Sequence, residues 1–503
     1  MAKQSVPVPD HGNDRGSFGS NIGFLLSAIG SAVGLGNIWG FPYKMGKSGG
    51  FTFLLIYLLL AVFVGFVIML GELSLGRKTG FGPVNAYAAV SKKFKWAGWL
   101  GVIVPFLVMT FYSVLGGYCI YYIIVNVIGL FSGGAPGNEV FGALLTTPGF
   151  GIGCTLLFML ICYFINRNGV GGGIEKFNEI GMPALFVLLV IVIIRSLTMK
   201  YASVGLKFMF VPGFSTKEIV IDGVSYGSFA EASPSWLSVL ATAAGQMFFS
   251  LSLAMGAMIT YGSYLSKSEN LPKNSLIIVI SDTMVALMAG LAVIPAAVAN
   301  GINQGVAVGD IKLNGPGLLF STLQDVFQNM GRIGGLFGII FFTLVLIAAI
   351  SSAISLIEAV SVTFIDRASA KGKEPSRPRT VTLVCVVIGL IACLVAADGL
   401  GSNGFAPWQF FGQGEEAIAG WNDCWLDFMD VWSEGIMMPL GAMLMSIMIG
   451  WELKPAFFHD EINSGYSGKI HGFWGFCLKF ICPIVMFFIL LAQVDGFFGF
   501  GWF

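Results

Sequence analysis

The sequence predicts an all-α integral membrane protein with eleven transmembrane helices. Hydrophobic residues make up 56% of the 503 residues and charged residues only 11%, and the mean hydropathy is +0.82. Soluble domains usually carry about 25% charged residues, so this composition excludes an ordinary soluble domain. The formal net charge is zero and the chain has no basic block. We therefore expect the lipid bilayer as a partner and no nucleic acid.

Eleven apolar runs have lengths at or near the ~20 residues that a helix needs to cross a bilayer. The fourth and ninth runs are short for a span, but the alternation of charged loops requires them. The predicted spans, numbered one to eleven, cover residues 18–43, 51–75, 97–128, 150–165, 177–197, 236–263, 275–299, 335–365, 380–397, 431–451 and 471–494.

The distribution of basic residues predicts the orientation. With these spans, 18 of the 27 Lys and Arg residues fall on the side of the N-terminus. Because cytoplasmic loops carry the excess of positive charge, we expect a cytoplasmic N-terminus and an extracellular C-terminus in the cell membrane. The predicted divisions are a cytoplasmic tail (1–17), a first five-helix repeat (18–197), an extracellular loop (198–235), a second five-helix repeat (236–451), and the eleventh helix with the C-terminus (452–503).

The first span contains a segment that should not stay helical, residues 30–42. Its four glycines are weak helix formers, and Pro42 is expected to close it. Unwound backbone is costly in hydrocarbon unless something polar occupies it. Close helix packing through Gly30 and Gly34 is the alternative interpretation. Asn37 adds an amide that packing does not need, which favours a binding site.

The sixth span contains a second interrupted segment, residues 245–256, with Ser250 and Ser252 at mid-membrane depth. Serine in such a helix often bonds to its own backbone, so this segment alone is a weak signal. The two interruptions begin corresponding halves of five spans each, which is the pattern of a transporter's binding site. Because each half has an odd number of spans, the second half must cross the membrane in the opposite direction to the first. The sequence therefore predicts a 5+5 inverted repeat plus an eleventh helix.

Four motifs along the chain carry a resemblance to a known family. They are GLGNIWGFPY at 34–43, GELSLGR at 71–77, GQMFFSLSL at 245–253 and AAISS at 348–352. In this order and at these separations, they resemble the neurotransmitter:sodium symporter family, and the eleven-span layout is similar to bacterial members. The resemblance implies the LeuT-type fold and a sodium-coupled symporter working by alternating access, with no enzymatic chemistry.

The resemblance also implies a substrate site. An amino-acid carboxylate would meet the amides of Leu35 and Gly36 and the hydroxyl of Tyr112. Ser31, Ser252 and Ser355 would form the polar edges of the pocket. The apolar lining favours a neutral, mainly apolar amino acid. Another small solute with a carboxylate or amine, or a sensor that does not transport, is the alternative. The implied substrate-binding residues are Ala32, Leu35, Gly36, Val108, Tyr112, Phe249, Ser250, Ser252, Met255, Ser355 and Leu356.

Two sodium sites follow from the same resemblance, built from the oxygen ligands that hard cations prefer. Asp282 is an acid where animal members carry a neutral Asn, which predicts transport without chloride; Ser281 is the alternative ligand, one residue away. The first site comprises the Ala32 carbonyl, Asn37, Ser250 and Asp282. The second comprises the carbonyls of Gly30, Val33 and Ala348 with the hydroxyls of Ser351 and Ser352.

An inner gate is implied on the cytoplasmic side. Arg15 would pair with Asp366, with Ser263 and Tyr264 as partners. In the fifth span, Gly173 and Pro183 resemble the Gly-x9-Pro motif that lets this helix unwind, and in the second span Glu72 would cap unwound backbone.

On the outer side, Phe249 would cover the substrate, and Asp430 matches the family's gating acid. The family's gating arginine is replaced by Gly40, so we expect the usual salt bridge to be absent. Two alternatives remain for the outer gate. Either Lys44 or Lys47 reaches across to Asp430 in place of the arginine, or the gate closes by apolar contact of Phe249 and Tyr112.

Overall fold

The computed structural model describes residues 18–311, 313, 315–464, 468 and 470–500, and nearly all secondary structure in this part of the chain is helical. Two spans are broken helices: Asn21–Ala32 with Gly36–Lys47, and Trp236–Ser250 with Ala257–Gly262. The other nine spans are continuous helices: Phe51–Thr79, Ala97–Ser132, Pro148–Arg167, Val170–Leu197, Leu271–Asn303, Gly334–Ser369, Arg377–Asp398, Trp425–Glu452 and His471–Phe498. Nine helices and the first broken pair are long and apolar enough to cross a membrane, and with the broken sixth helix the described residues contain eleven spans, in agreement with the predicted layout.

Some predicted boundaries are wrong. The first span does not end near residue 43 but continues to Lys47, and of the predicted interruption 30–42 only residues 33–35 lie between the two helical halves. Pro42 lies in the first turn of the helix Phe41–Lys47, where the missing amide of proline costs little. The tenth span begins at Trp425 instead of residue 431, so Asp430 lies inside a helix.

Shorter elements connect the spans. The segment 198–235 is not a simple loop: it contains a helix of nine residues, Ala202–Phe210, and an antiparallel pair of two-residue strands, Val220–Ile221 and Val224–Ser225. The other connecting helices, some of them single turns, are Pro83–Val90, Gly137–Thr146, Phe214–Thr216, Val308–Asp310, Gly315–Gly317, Leu318–Thr322, Leu323–Gln328, Gly331–Ile333, Pro407–Phe410, Glu415–Ala417, Pro455–Phe458 and His459–Asn463.

The two broken spans lie at the centre of the molecule. We call Asn21–Ala32 the inner half and Gly36–Lys47 the outer half of the first span; they are bent by 45°. The inner half packs against the fifth, seventh and eighth spans, and the third and eighth spans pack together along their length. The eleventh span packs on the tenth, outside the two five-helix repeats. This is the LeuT-type 5+5 arrangement that the sequence predicts.

Candidate functional site

The break in the first span spans Val33–Leu35 and is built around Gly34. A Cβ at Gly34 would lie 2.3 Å from Ser352 Oγ and 2.6 Å from the Tyr112 hydroxyl, so no larger residue fits without displacement. Asn37 Oδ1 accepts a hydrogen bond from the Gly34 amide at 2.9 Å. The Asn37 side chain therefore holds the turn open in the way that a capping residue holds a helix end.

The break in the sixth span occupies residues 251–256 and includes backbone that L-residues rarely adopt. Ser252 and Ala254 have φ of 52° and 58°, which is uncommon for non-glycine residues. The buried Glu72 carboxylate accepts from the Ala254 amide at 2.8 Å. This contact supplies the partner that an unwound amide needs in a membrane interior, and it agrees with the capping role that the resemblance implies for Glu72.

Asp282 is the centre of a first cluster of oxygen atoms. The residue is fully buried, and Oδ1 accepts from Asn37 Nδ2 at 2.7 Å and from Ser250 Oγ at 2.9 Å. Tyr57, which the sequence analysis did not single out, donates its hydroxyl to Oδ2 at 3.3 Å. Ser281 is partly exposed, whereas Asp282 faces the broken span. Of the two alternatives, Asp282 is the one that this arrangement favours.

A second cluster joins the inner half to the eighth span. Ser351 Oγ lies 3.2 Å from the Val33 carbonyl and 2.8 Å from that of Ala348. Ser352 Oγ lies 3.3 Å from the Gly30 carbonyl. These contacts bring together all five groups proposed for the second sodium site, and carbonyl and hydroxyl oxygens are the ligands that a hard cation takes.

The candidate substrate position lies between the two clusters. The Leu35 amide donates to the Tyr112 hydroxyl at 3.0 Å, and both residues are buried. The rings of Tyr112 and Phe249 are 6.3 Å apart, and a Cβ on Gly36 would come within 2.7 Å of Phe249 Cδ1. Phe249 thus lies directly against the first residue of the outer half. The remaining apolar residues proposed for the pocket are buried: Val108, Met255 and Leu356.

The three serines at the proposed polar edge bond to one another and to backbone. Ser31 Oγ donates to Ser355 Oγ at 2.7 Å, and Ser355 Oγ donates to the Ser352 carbonyl at 2.7 Å. Ser252 Oγ donates to the Ser31 carbonyl at 2.7 Å. We call Ser31, Ser252 and Ser355 the serine ladder. It connects the first, sixth and eighth spans and uses the hydroxyl protons that a substrate could otherwise accept.

With Gly40 in place of the arginine, the usual salt bridge to Asp430 cannot form, and a different ion pair joins Lys44 to Glu434. Lys44 does reach across, but to Glu434, one helical turn beyond the expected Asp430. Its ammonium lies 6.0 Å from the centre of the Phe249 ring. Gln246 fills the space beside Gly40, where the family's arginine side chain would begin. Its Oε1 lies 2.7 Å from the position that a Cβ on Gly40 would take.

The residues proposed for the outer gate border a polar cavity of about 420 Å³. Lys44, Lys47, Asp427, Asp430 and Glu434 all line it. The family pattern points to Asp430 alone. Glu434 could have been found in the sequence, because it is a second acid four residues after Asp430, on the same face of a largely apolar helix.

Of the residues predicted to form an inner gate, Arg15 lies outside the described residues. Asp366 Oδ2 accepts from the Gly82 amide at 2.7 Å. The Tyr264 hydroxyl donates to Glu358 at 2.6 Å, and Glu358 also forms a buried ion pair with Arg377. Glu358 was not predicted from the sequence, although an acid within an apolar span is a functional candidate by default.

The predicted unwinding motif lies at the start of the fifth span. Gly173 falls in a π-helical turn, Val170–Glu175, and Pro183 lies inside the α-helix Lys176–Leu197. A Cβ on Gly173 would come within 2.0 Å of the Ile165 carbonyl, so the turn packs closely on the end of the fourth span. π-helical turns are rare and often occur at functional sites.

Comparison with known proteins gives consistent matches over nearly the whole chain. Residues 15–130 and 151–411 match the model of the Sodium:neurotransmitter symporter family. An uncharacterized sodium-dependent transporter, YhdH of Bacillus subtilis, is 33% identical over 484 residues, covering 94% of this chain and 97% of the relative. The sodium- and chloride-dependent glycine transporter 1 of Xenopus laevis is 24% identical over 530 residues, covering 96% of this chain and 79% of that one.

The structural comparison agrees. The crystal structure of MhsT in complex with L-phenylalanine matches with a TM-score of 0.78 and 33% identity, covering 95% of this chain and 100% of that one. Two broken helices at the centre of a 5+5 repeat define a secondary transporter of the LeuT fold. The chain belongs to the sodium:neurotransmitter symporter family. It is a multi-pass, sodium-dependent membrane transporter and not an enzyme.

Replacing both Ser351 and Ser352 by Ala should weaken sodium binding, because two hydroxyl oxygens leave the second cluster. We expect the sodium concentration for half-maximal uptake to rise about tenfold, which corresponds to ~1.4 kcal/mol. Ser361→Ala, at a buried serine on the same span, is the control and should behave as wild type. Unchanged sodium dependence in a normally expressed double variant would rule out the second cluster as a sodium site.

Glu434→Gln should slow uptake more than Asp430→Asn, because it leaves the mostly buried Lys44 ammonium without its ion partner. We expect about tenfold for Glu434→Gln (~1.4 kcal/mol) and less than tenfold for Asp430→Asn. Exchanging the charges with Lys44→Glu and Glu434→Lys should restore part of the rate. The opposite ranking, measured at equal surface expression, would contradict the assignment of the ion pair as the outer gate.

Proposed function

We propose that this chain imports a neutral, mainly apolar amino acid together with two sodium ions, by alternating access. The observation that carries the proposal is the buried contact between the Leu35 amide and the Tyr112 hydroxyl. It lies between an oxygen cluster around Asp282 and another around Ser351. Both Leu35 N–H and Tyr112 O–H can donate to an incoming carboxylate, and both cation clusters adjoin that position.

The polarity of the broken helices supports an amino acid in particular. The outer half of the first span begins at the break, so its N-terminal amides and positive dipole end face the carboxylate position. The inner half and the helix Trp236–Ser250 both end at the breaks, so their carbonyls and negative dipole ends face the same region. These carbonyls suit an ammonium group. A zwitterion therefore finds complementary charge at both of its ends.

The side-chain pocket favours an apolar substrate. Val108, Phe249, Met255 and Leu356 supply apolar surface, and the serine ladder already uses its hydroxyl protons internally. The relative MhsT, similar over 95% of this chain, was crystallised with L-phenylalanine. This supports an amino acid of similar character here.

Transport without chloride is proposed from the charge of Asp282. A carboxylate at this buried position supplies the negative charge that a bound chloride would otherwise provide next to sodium. In a low-dielectric interior a nearby negative charge strongly stabilises a cation. The donors from Asn37, Ser250 and Tyr57 orient this carboxylate toward the broken span.

In the proposed cycle, the gates on the two sides open in turn. Phe249 and the pair of Lys44 with Glu434 would close the outer side. Asp366 and Tyr264 would belong to the inner side, with Arg15 as the proposed partner. We propose a cytoplasmic N-terminus, an extracellular segment 198–235 and an extracellular C-terminus, from the distribution of basic residues.

A panel of amino acids tests the proposed substrate class. Neutral apolar amino acids should raise the melting temperature of the purified protein in sodium and not in potassium, because a ligand that binds the folded state stabilises it by mass action. The same amino acids should drive counterflow in proteoliposomes, which separates a carrier from a sensor. Stabilisation by charged amino acids alone, or binding without flux, would contradict the proposal.

Uptake by the wild type should be equal in chloride and in gluconate. Asp282→Asn should abolish uptake, or leave a fraction that appears only in chloride, because the variant lacks the buried negative charge. Ser281→Ala serves as the control for the neighbouring position and should retain uptake in both salts. Full uptake by Asp282→Asn in gluconate would remove Asp282 from the sodium site.

A further inference from the structure

Three spans leave an apolar groove between them on the surface of the molecule. We call it the three-span groove. It is lined from residues 99–106 at the start of the third span, 360–364 near the end of the eighth and 380–387 at the start of the ninth. Its volume is about 400 Å³, and nine of the ten described residues that line it are apolar. The groove is therefore a preformed apolar recess near one end of these three helices.

The groove has a buried floor and an exposed rim. Val360 and Val384 are only 2% and 6% exposed, and they form the floor. Ile103, Phe364 and Val387 are 40% to 45% exposed, and they form the rim. An occupant of the groove would thus contact apolar side chains from three helices at once.

The groove has the depth of part of one lipid leaflet. Trp99 lines one end of it and Trp96, which is 52% exposed, lies one turn before; tryptophan is enriched at membrane interfaces. From Trp99 to Phe106 a helix rises about 10 Å. One leaflet contains ~15 Å of hydrocarbon. This depth suits the acyl chain of a lipid, whereas a partner helix would need a surface across the whole bilayer.

Two arginines lie at the interfacial end of the groove. Arg367 follows the lining residue Phe364 by three positions on the eighth span. Arg379 precedes the lining residue Leu383 by four positions on the ninth, so each arginine shares a helix face with the groove. The Arg367 guanidinium carbon lies 4.8 Å from the centre of the Trp99 ring. This stacking holds the planar group at the groove and leaves its N–H donors, which match the oxygens of a phosphate.

Neither arginine is paired with an acid in the part of the chain that the structure describes. The ion pairs found there use other basic residues: Lys44, Arg77, Lys267 and Arg377. Two such cations beside an apolar recess complement a molecule that joins a negative headgroup to hydrocarbon. Anionic lipids give the cytoplasmic leaflet its negative surface potential, and the orientation proposed above places this end of the three spans in that leaflet.

We propose that the three-span groove binds an anionic phospholipid. One acyl chain lies between the third, eighth and ninth spans, and the phosphate lies at Arg367 and Arg379. Because the lipid contacts three helices, it stabilises their packing against one another. The folded protein should therefore gain stability from this lipid by mass action.

A lipid titration of the purified, delipidated full-length protein tests the proposal. Dioleoyl phosphatidylglycerol should raise the melting temperature at about tenfold lower concentration than dioleoyl phosphatidylcholine, whose choline compensates the phosphate charge. Native mass spectrometry should show phosphatidylglycerol retained on the monomer. Equal responses to the two lipids would overturn the proposal. The same stabilisation by glycerol phosphate, which has no acyl chain, would also overturn it, because it would show an anion site that does not use the groove.

A double variant tests the headgroup contacts. Arg367→Gln with Arg379→Gln should remove the preference for phosphatidylglycerol and leave the response to phosphatidylcholine. Arg167→Gln, at an exposed arginine that ends the fourth span on the same side of the membrane, is the matched control and should keep the preference. An equal loss in Arg167→Gln would mean that general surface charge attracts the lipid, which contradicts a site at the groove.

A second variant fills the groove without changing its charge. Val387→Trp should abolish stabilisation by phosphatidylglycerol, and it keeps the proposal testable where the double variant does not fold. Leu394→Trp, at an exposed residue two turns further along the same helix, is its control and should respond as wild type. If Val387→Trp responds like Leu394→Trp, the proposal is wrong. A lipid-free dimer that Val387→Trp disrupts would place a second copy of the chain in the groove and would likewise contradict it.

Discussion

The structure depends on one constraint: backbone that leaves a helix inside a membrane must find other hydrogen-bond partners. The chain breaks two central helices and supplies those partners from side chains. Asn37 accepts from the Gly34 amide, and Glu72 accepts from the Ala254 amide. The same unwound turns then present amides and carbonyls toward one buried region. What would be a defect in a structural helix becomes a surface that can take charged groups.

Close approach of backbone to polar side chains is the second requirement, and glycine provides it at a few positions. Gly34 leaves room for Ser352 and Tyr112, and Gly23 leaves room for Glu175. In both places a methyl group would occupy the site of an oxygen atom. The inner half is therefore held by polar contacts with its neighbours as well as by apolar packing. Such contacts can be exchanged for water, which suits a segment that has to move.

The sequence was sufficient for the fold and for most of the groups that form the two clusters, because glycine runs, a mid-span acid and paired serines are local signals. It was insufficient where a contact joins distant segments. Tyr57 sits in an ordinary apolar run, and only the fold brings it to Asp282. Glu434 and Glu358 carried a signal as acids within spans, but their partners Lys44 and Arg377 come from other helices. Pro42 was a misleading signal for the end of the first span, because proline is tolerated in a first helical turn.

The serine ladder has a consequence for how this protein would tell substrates apart. Its three hydroxyl protons are committed to oxygen atoms of the protein, so the pocket offers spare acceptors and few donors beside the apolar side chains. A substrate side chain that can only accept hydrogen bonds would lose its bound water on entering the pocket and would find few donors to replace it. Discrimination of this kind works by the cost of dehydration. It needs no steric clash, and it excludes acidic side chains more strongly than large ones.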